Sequence, residues 1–341
     1  MLITCVAGIL CGKGHTATPA SIIVIVTALL AWKDRLTGFS LGLTENEMRS
    51  ALLLAILAIV IYPALPVGAI GPWNLIEPRA AWVTVILIAG IGFVNYVLWK
   101  LYGTRGIVMT GFLGGLVNSS ITVSELASRA RDNQRETVSA AYRGILLATA
   151  AMLIRNGGLL LILAPAAAFS ASIPFVLMLV INAIWFFIDT DTVKKTAEAQ
   201  TQTVALPLPF SLSAALKYGL LFLILHIAGV IAQQGFGEAG FYAVSLIGGV
   251  VSSASAVAAA ASLVTGGSIP EHVASTGAVI ASLASVLINL PLVLRAHNRG
   301  LTLRLTIAML SISVVGIVGA FVAKPLLAFL MTAFPVLSQF N

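Results

Sequence analysis

Apolar residues fall in long runs along this chain, at roughly 1–12, 18–32, 50–66, 80–100, 106–127, 137–164, 172–189, 211–234, 240–265, 271–294 and 302–323. About 20 such residues make a helix that crosses the ~30 Å hydrocarbon core of a bilayer. Polar residues gather in the short connections. The pattern predicts an all-α polytopic membrane protein with about ten transmembrane or re-entrant helical segments. The first run, at 12 residues, is too short to span and reads as the back half of a helix. A last run, 325–339, holds Pro325 and Pro335 and reads as a partial span or an interfacial segment. The longest polar connection, 189–209, carries Thr, Gln, charges, Pro207 and Pro209, the composition of a solvated linker. The expected organisation is residues 1–44 as a separate membrane remnant and 45–190 as a first membrane repeat with a flanking span. A cytoplasmic linker, 191–210, then leads to a second membrane repeat, 211–341.

The two halves resemble each other. "GFLGGLVNSS", Gly111 to Ser120, recurs as "SLIGGVVSSA", Ser245 to Ala254. An ungapped offset of 134 pairs Gly114 with Gly248, Gly115 with Gly249, Ser119 with Ser253 and Ile154 with Ile288. Small and apolar residues match easily by chance in such a composition. A glycine pair followed by serine at a fixed offset argues more strongly for an internal repeat.

Composition sharpens this picture. Hydrophobic residues make up 59% of the 341 and charged residues 9%, far below the roughly 25% of a soluble domain. The net charge of +7 is a matter of topology rather than of nucleic-acid binding, because Lys and Arg lie in the connections. If both Gly-Gly segments cross the membrane once, the repeats are parallel and the positive-inside rule fails twice. If both dip in and return, the connections holding Lys100 and Arg105, then Arg129, Arg131 and Arg135, then Lys194 and Lys195, then Arg295, Arg299 and Arg304 share one side. Each half then has three full spans plus one hairpin, an odd number, and the repeats are inverted. The charge pattern favours this second arrangement.

Candidate chemistry concentrates at the repeated motif. Gly114, Gly115, Gly248 and Gly249 suit breaks in a helix. Asn118, Ser119 and Ser120, with Ser252 and Ser253, are placed to open a second half-helix whose N–H groups face the protein interior. Close helix packing through small residues is the competing explanation. Arg155 falls near the middle of its run, where charge costs about 2.5–3.5 kcal/mol on insertion scales. It is a candidate for attracting negative charge; the alternatives are snorkelling, or a structural pair with a half-helix C-terminal end or with Asp189. Asn289 stands at its repeat position. Asn95 and Asn182 read as interhelical hydrogen bonders, His226 as a packed core imidazole, and Arg143 and Lys217 as interfacial. Cys5 and Cys11 have no metal or redox spacing. "GILCGKGHT" lacks P-loop spacing. No cluster suits zinc, and no run carries a central carboxylate for a divalent cation. A serine hydrolase lacks its base and its elbow motif. No enzyme and no cofactor are expected. The expected site joins Gly114, Gly115, Asn118, Ser119, Ser120, Arg155, Gly248, Gly249, Ser252, Ser253 and Asn289, and it binds a small ion or anionic solute.

"TALLAWKDRL", residues 27–36, "GPWNLIEPRAAWVTVILIAGIGFVNYVLWKLYGTRG", residues 71–106, and "GFLGGLVNSS" together resemble an uncharacterised prokaryotic membrane-domain family that commonly follows an MgtC/SapB domain. The resemblance spans about 45 to 325, and residues 1–40 look like the tail of the MgtC/SapB domain. It implies a multi-pass protein of the prokaryotic inner membrane, and it brings no catalytic residues and no substrate. The expected function is that of a secondary transporter or channel-like protein. The alternative is a non-transporting regulator or partner-binding protein related to MgtC/SapB-type proteins. Its partners are the bilayer and a small solute, with homo-oligomerisation left open and no nucleic acid.

Overall fold

A computed structural model describes residues 45–68, 78–102, 107–130, 135–188 and 212–333, with Gly8, Cys11, Gly12 and Thr27 as isolated positions. The expectations for Cys5, the remnant at 1–44, Asp189, the linker at 191–210, Lys194 and Lys195, "GPWNLIE" and Pro335 lie outside the described residues, as do the side chains of Asn95, Lys100, Arg105, Arg131 and Arg135. The chain divides into two compact units, Met1–Leu52 and Leu53–Asn341. The described residues are helical, with no strand among them. The helices are α1 (Glu45–Ala55), continued by a π-helical turn Ile56–Ile61 and a short turn Tyr62–Ala64, then α2 (Pro78–Tyr102), α3 (Ile107–Arg129) and α4 (Arg135–Leu163). After them come α5 (Pro165–Ile188), α6 (Leu212–Thr265), α7 (Glu271–Leu294) and α8 (Arg299–Ala333).

Among the described residues, five stretches are long and apolar enough to cross a membrane: Thr137–Leu163, Pro165–Ile188, Lys217–Thr265, Glu271–Leu294 and Arg299–Val322. Their outward faces are apolar too, with Ile162, Phe187, Leu303 and Phe321 among the exposed side chains. The chain therefore has helices of the kind a membrane protein needs. Two of the expected connections are absent. Residues 165–171 do not form one, because Pro165 fits the first turn of a helix and starts α5 directly after Ala164. The runs 302–323 and 325–339 are not separated at Pro325, because α8 continues to Ala333.

Two helices are broken inside. Asn118 has φ −153° and ψ 104°, and Ser252 has φ −160° and ψ 101°. These breaks lie 134 positions apart, the offset of the repeated motif. Both backbones are ordinary extended conformations that any residue adopts. The expectation that the glycine pairs make the breaks is therefore corrected. The glycines serve close approach instead. A Cβ on Gly115 would lie 2.5 Å from Ala148 O, and one on Gly249 would lie 2.5 Å from Ala281 Cα. Both are backbone atoms, so nothing flexible can give way. Gly237 does need glycine: its φ of 62° turns the chain between the first and second arms of α6.

Contacts across these breaks fix the direction of each arm. A Cβ on Gly248 would lie 3.1 Å from Ala256 Cβ, although residues eight apart in a straight helix are separated by about 12 Å. The chain thus doubles back at Ser252. In α3, Gly111 packs on Gly144 and Gly115 on Ala148, a constant separation of 33, so residues 107–117 run parallel to α4. A straight α3 would put Arg129 roughly 40 Å along the axis from Arg135. The six residue steps between them reach about 22 Å at most. Hence α3 also reverses, at Asn118. In the second half, Gly277 meets Phe241 and Ser245 while Gly249 meets Ala281, so residues 241–251 run parallel to α7.

The remaining pairs set the sense of the halves. Tyr142 Oη donates to Trp185 O at 3.3 Å and Gly157 faces Phe175, so α4 and α5 are antiparallel. Trp185 Nε1 donates to Ser311 Oγ at 2.7 Å, Gly316 faces Met178 and Gly319 faces Pro174, so α5 and α8 are antiparallel as well. The short connection from Leu294 to Arg299 turns α7 against α8. It follows that α7 opposes α4, and the first arm of one hairpin opposes the first arm of the other. At the start of the second unit, Trp82 Nε1 donates to Leu57 O, and Arg79 Nε donates to Leu65 O, tying α2 to the π-helical segment.

Two glycine classes should separate on substitution. Gly115→Leu and Gly249→Leu force backbone apart, and overpacking of this kind costs about 1–3 kcal/mol or more. Gly158, where an added Cβ would meet nothing within 4 Å, should accept Ala with no loss of stability. Thermal unfolding of the purified variants measures the difference, and equal effects at all three positions would contradict the contact geometry.

Candidate functional site

The two breaks meet at a cavity of about 120 Å³. Its walls include Leu116 to Ser120 from the first hairpin, Gly249 to Ala254 from the second, Arg155 and Leu159 from α4, Tyr218 from α6 and Ser285 from α7. Ile88, Ala89, Ile91 and Gly92 of α2 close the apolar side.

Each break is capped by its own side chain. A helix start leaves N–H groups without partners, and Asn or Ser in an extended conformation satisfies the third one on. Asn118 Oδ1 accepts from Ile121 N at 3.1 Å, and Ser252 Oγ accepts from Ser255 N at 3.3 Å. Both tips also reach Tyr218. Asn118 Nδ2 donates to the Tyr218 hydroxyl at 3.2 Å, and Ser255 Oγ donates to the Tyr218 carbonyl at 3.3 Å. Tyr218 thus braces both hairpin tips.

Arg155 serves the other end of the break. Its Nη1 donates to Leu116 O at 3.1 Å and to Val117 O at 3.2 Å, the last carbonyls of the first arm. A cation there opposes the negative end of the helix dipole. Helical side chains lean toward the N-terminus, which lets Arg155 reach back to residues packed lower on α4. Its Nη2 lies 3.5 Å from Ser253 Oγ, across on the second hairpin. Of the roles open to this residue, the partner of a half-helix end is the one with direct bonds. Arg155 is also the one charged side chain lining the cavity, among the described residues.

Of the expected residues, Asn118, Ser119, Ser120, Arg155, Gly249, Ser252 and Ser253 line the cavity. Gly114, Gly115 and Gly248 do not. Gly248 packs against Leu225 and Ala256, and Gly115 against Ala148, so these two are structural. Asn289 stands behind the wall and accepts from Ser120 Oγ at 3.0 Å. Asn156, next to Arg155 on α4, donates to Ser282 Oγ at 3.0 Å. Tyr218 and Ser285 escape the sequence reading. Ser285 has a legible signal: Ser282, Ser285 and Asn289 recur at spacings of three and four, one face of a helix. Tyr218 has none, because one tyrosine next to an interfacial lysine carries no pattern.

Elsewhere, His226 is buried beside Phe222, with ring centres 5.8 Å apart, in keeping with a packing role. Arg143 stacks over Phe186 at 4.4 Å. Lys217 is exposed, and Asn182 is buried with its Nδ2 unpartnered among the described residues.

Among known proteins, a family model described as "Domain of unknown function (DUF4010)" matches residues 86–297, more than half of the chain. No curated protein matches, and no solved structure matches. The match does not reach residues 1–44, so an MgtC/SapB origin for that stretch rests on the resemblance alone.

Removing a cap tests the tip geometry. Asn118→Ala and Ser252→Ala should each lower stability by about 0.5–2 kcal/mol, while Asn118→Ser should come within a few tenths of the native chain. Thermal or denaturant unfolding in detergent gives the values.

Proposed function

Because the chain belongs to the DUF4010 family, an uncharacterised one, its activity must be read from its own site, and we propose a multi-pass secondary transporter or channel-like protein with inverted repeats. One observation carries this reading. Two hairpins of opposite sense bring capped helix breaks to one cavity, at an offset of 134. Paired broken helices of this kind form the solute site in inverted-repeat transporters, with half-helix ends and exposed backbone lining a midplane cavity. The antiparallel pairing of α5 with α8, which occupy matching places in the two halves, supports inversion rather than a parallel repeat. With α4 as reference, the described helix ends Ile107, Arg129, Arg135, Ile188 and Leu294 lie toward one side, which is the arrangement the positive-inside rule favours for the basic connections. About ten segments result when the hairpin arms are counted, and the inner membrane of a prokaryote is the proposed location. The solute is a small ion or anionic solute.

A second reading is a non-transporting regulator or partner-binding protein. It draws on Arg155, whose bonds to Leu116 and Val117 are those of a structural cap. It makes the hairpins packing elements and predicts that Ser119→Ala and Ser253→Ala leave function intact.

Cysteine labelling tests the topology. In a background without Cys5 and Cys11, Thr104→Cys and Asn133→Cys should react with an impermeant maleimide from the same side, and Ser268→Cys from the other. Reaction of Thr104→Cys and Asn133→Cys from opposite sides would overturn the hairpin arrangement and with it the proposed transport architecture.

A further inference from the structure

We infer that the cavity binds a small, singly charged carboxylate with a short apolar body. The inference rests on the transporter reading and narrows its solute. Size sets the first limit. The cavity, about 120 Å³ and partly open, has room for a molecule of a few heavy atoms. Charge sets the second. Arg155 is the lone cation of the wall and no carboxylate lines it, among the described residues, so one negative charge balances the site.

The donors set the third. Two half-helices, 119–129 and 253–265, begin at the cavity. Their caps occupy the third N–H of each, at Ile121 and Ser255, and the earlier N–H groups at Ser119, Ser120, Ser253 and Ala254 belong to lining residues. Ser119 and Ser285 are each only 4% exposed, line the cavity and have no hydrogen-bond partner among the described residues. Both hydroxyls are open to the cavity and can donate to an acceptor held there. The guanidinium keeps donors beyond those used on Leu116, Val117 and Ser253, since it carries five.

The apolar part of the lining decides among anions. Ile88, Ile91, Leu116, Val117 and Leu159 offer apolar surface and no donor side chain. A halide leaves that surface without a contact. Sulfate or doubly charged phosphate would set charged oxygens against it, with a second charge that no lining cation balances. A carboxylate head among the hydroxyls, with two or three carbons against the isoleucines, satisfies both parts of the lining.

The test uses the full-length chain in detergent, titrated with sodium acetate, propionate and butyrate at constant ionic strength and followed by thermal unfolding and calorimetry. Chloride, sulfate and the larger benzoate serve as comparators. Saturable stabilisation by propionate or its neighbours, absent with chloride and sulfate, is the expected result. Ser285→Ala, which touches neither cap nor arginine, should weaken it about tenfold, as loss of a hydrogen bond to a charged group does. Ser119→Ala should act likewise. Saturable stabilisation by chloride, sulfate or a cation alone overturns the carboxylate and leaves the transporter architecture standing. A carboxylate effect unchanged in both serine variants overturns the site, and no response to any carboxylate overturns the inference outright. The maleimide labelling reads the architecture separately, so the two failures are distinguishable.

Discussion

A helix broken within an apolar surrounding exposes carbonyls at one end and N–H groups at the other, and each costs free energy until it finds a partner. That obligation organises the centre of this protein. At the first break the N–H side is met by Asn118 and the carbonyl side by Arg155. At the second, Ser252 meets the N–H side. Tyr218 can touch both tips because the breaks face each other, and the breaks face each other because Gly115 and Gly249 let each first arm lie directly on its neighbouring helix. A single side chain at either glycine would move a tip away from the cavity.

The two hairpins are related but not equivalent. Asn118 and Ser252 do the same work with different side chains, and the glycine contacts are nearly superposable in kind. Arg155 has no basic counterpart, since the repeat position holds Asn289 and the preceding one Ile288. The cavity consequently carries charge from one half only. Its polar surface comes from both halves, through Ser119 and Ser120 on one side and Ser253 and Ser285 on the other. A strictly symmetric pair would have placed two cations in the same small volume, with mutual repulsion and two charges to neutralise.

Much of this is legible in the sequence. The apolar runs give the helices, and the 134-residue offset locates both breaks to within a few positions. The polar residues after each glycine pair are the caps and cavity wall, as their cap preference suggests. What the sequence conceals follows from physical ambiguity. A glycine pair in an apolar run suits a bend and a close contact equally well, and here the contact claims it while the bend falls three residues on, at Asn118 and Ser252. A proline after an apolar run suits a loop and a helix start equally well, and Pro165 starts a helix. Arg155 is visible as a charge within an apolar run, but its partners are backbone carbonyls, which have no sequence identity. Tyr218 depends on the meeting of three elements distant in the chain.

The packing also determines where motion is possible. Each first arm contacts its neighbouring helix through backbone, Gly115 on Ala148 and Gly249 on Ala281, so neither pair can slide without losing the contact. Hairpin and helix therefore move together in each half. Between the halves the hydrogen bonds at the centre are between side chains: Asn118 to Tyr218, Ser120 to Asn289, Asn156 to Ser282, and the long Arg155 to Ser253 approach of 3.5 Å. Bonds of this kind contribute about 1 kcal/mol each and re-form after small displacements. A separation of the two hairpin-and-helix units would break these bonds and leave the backbone contacts of Gly115 and Gly249 intact. In such a separation Arg155 would stay with the first unit, held by Leu116 and Val117, and Ser253 and Ser285 would go with the second.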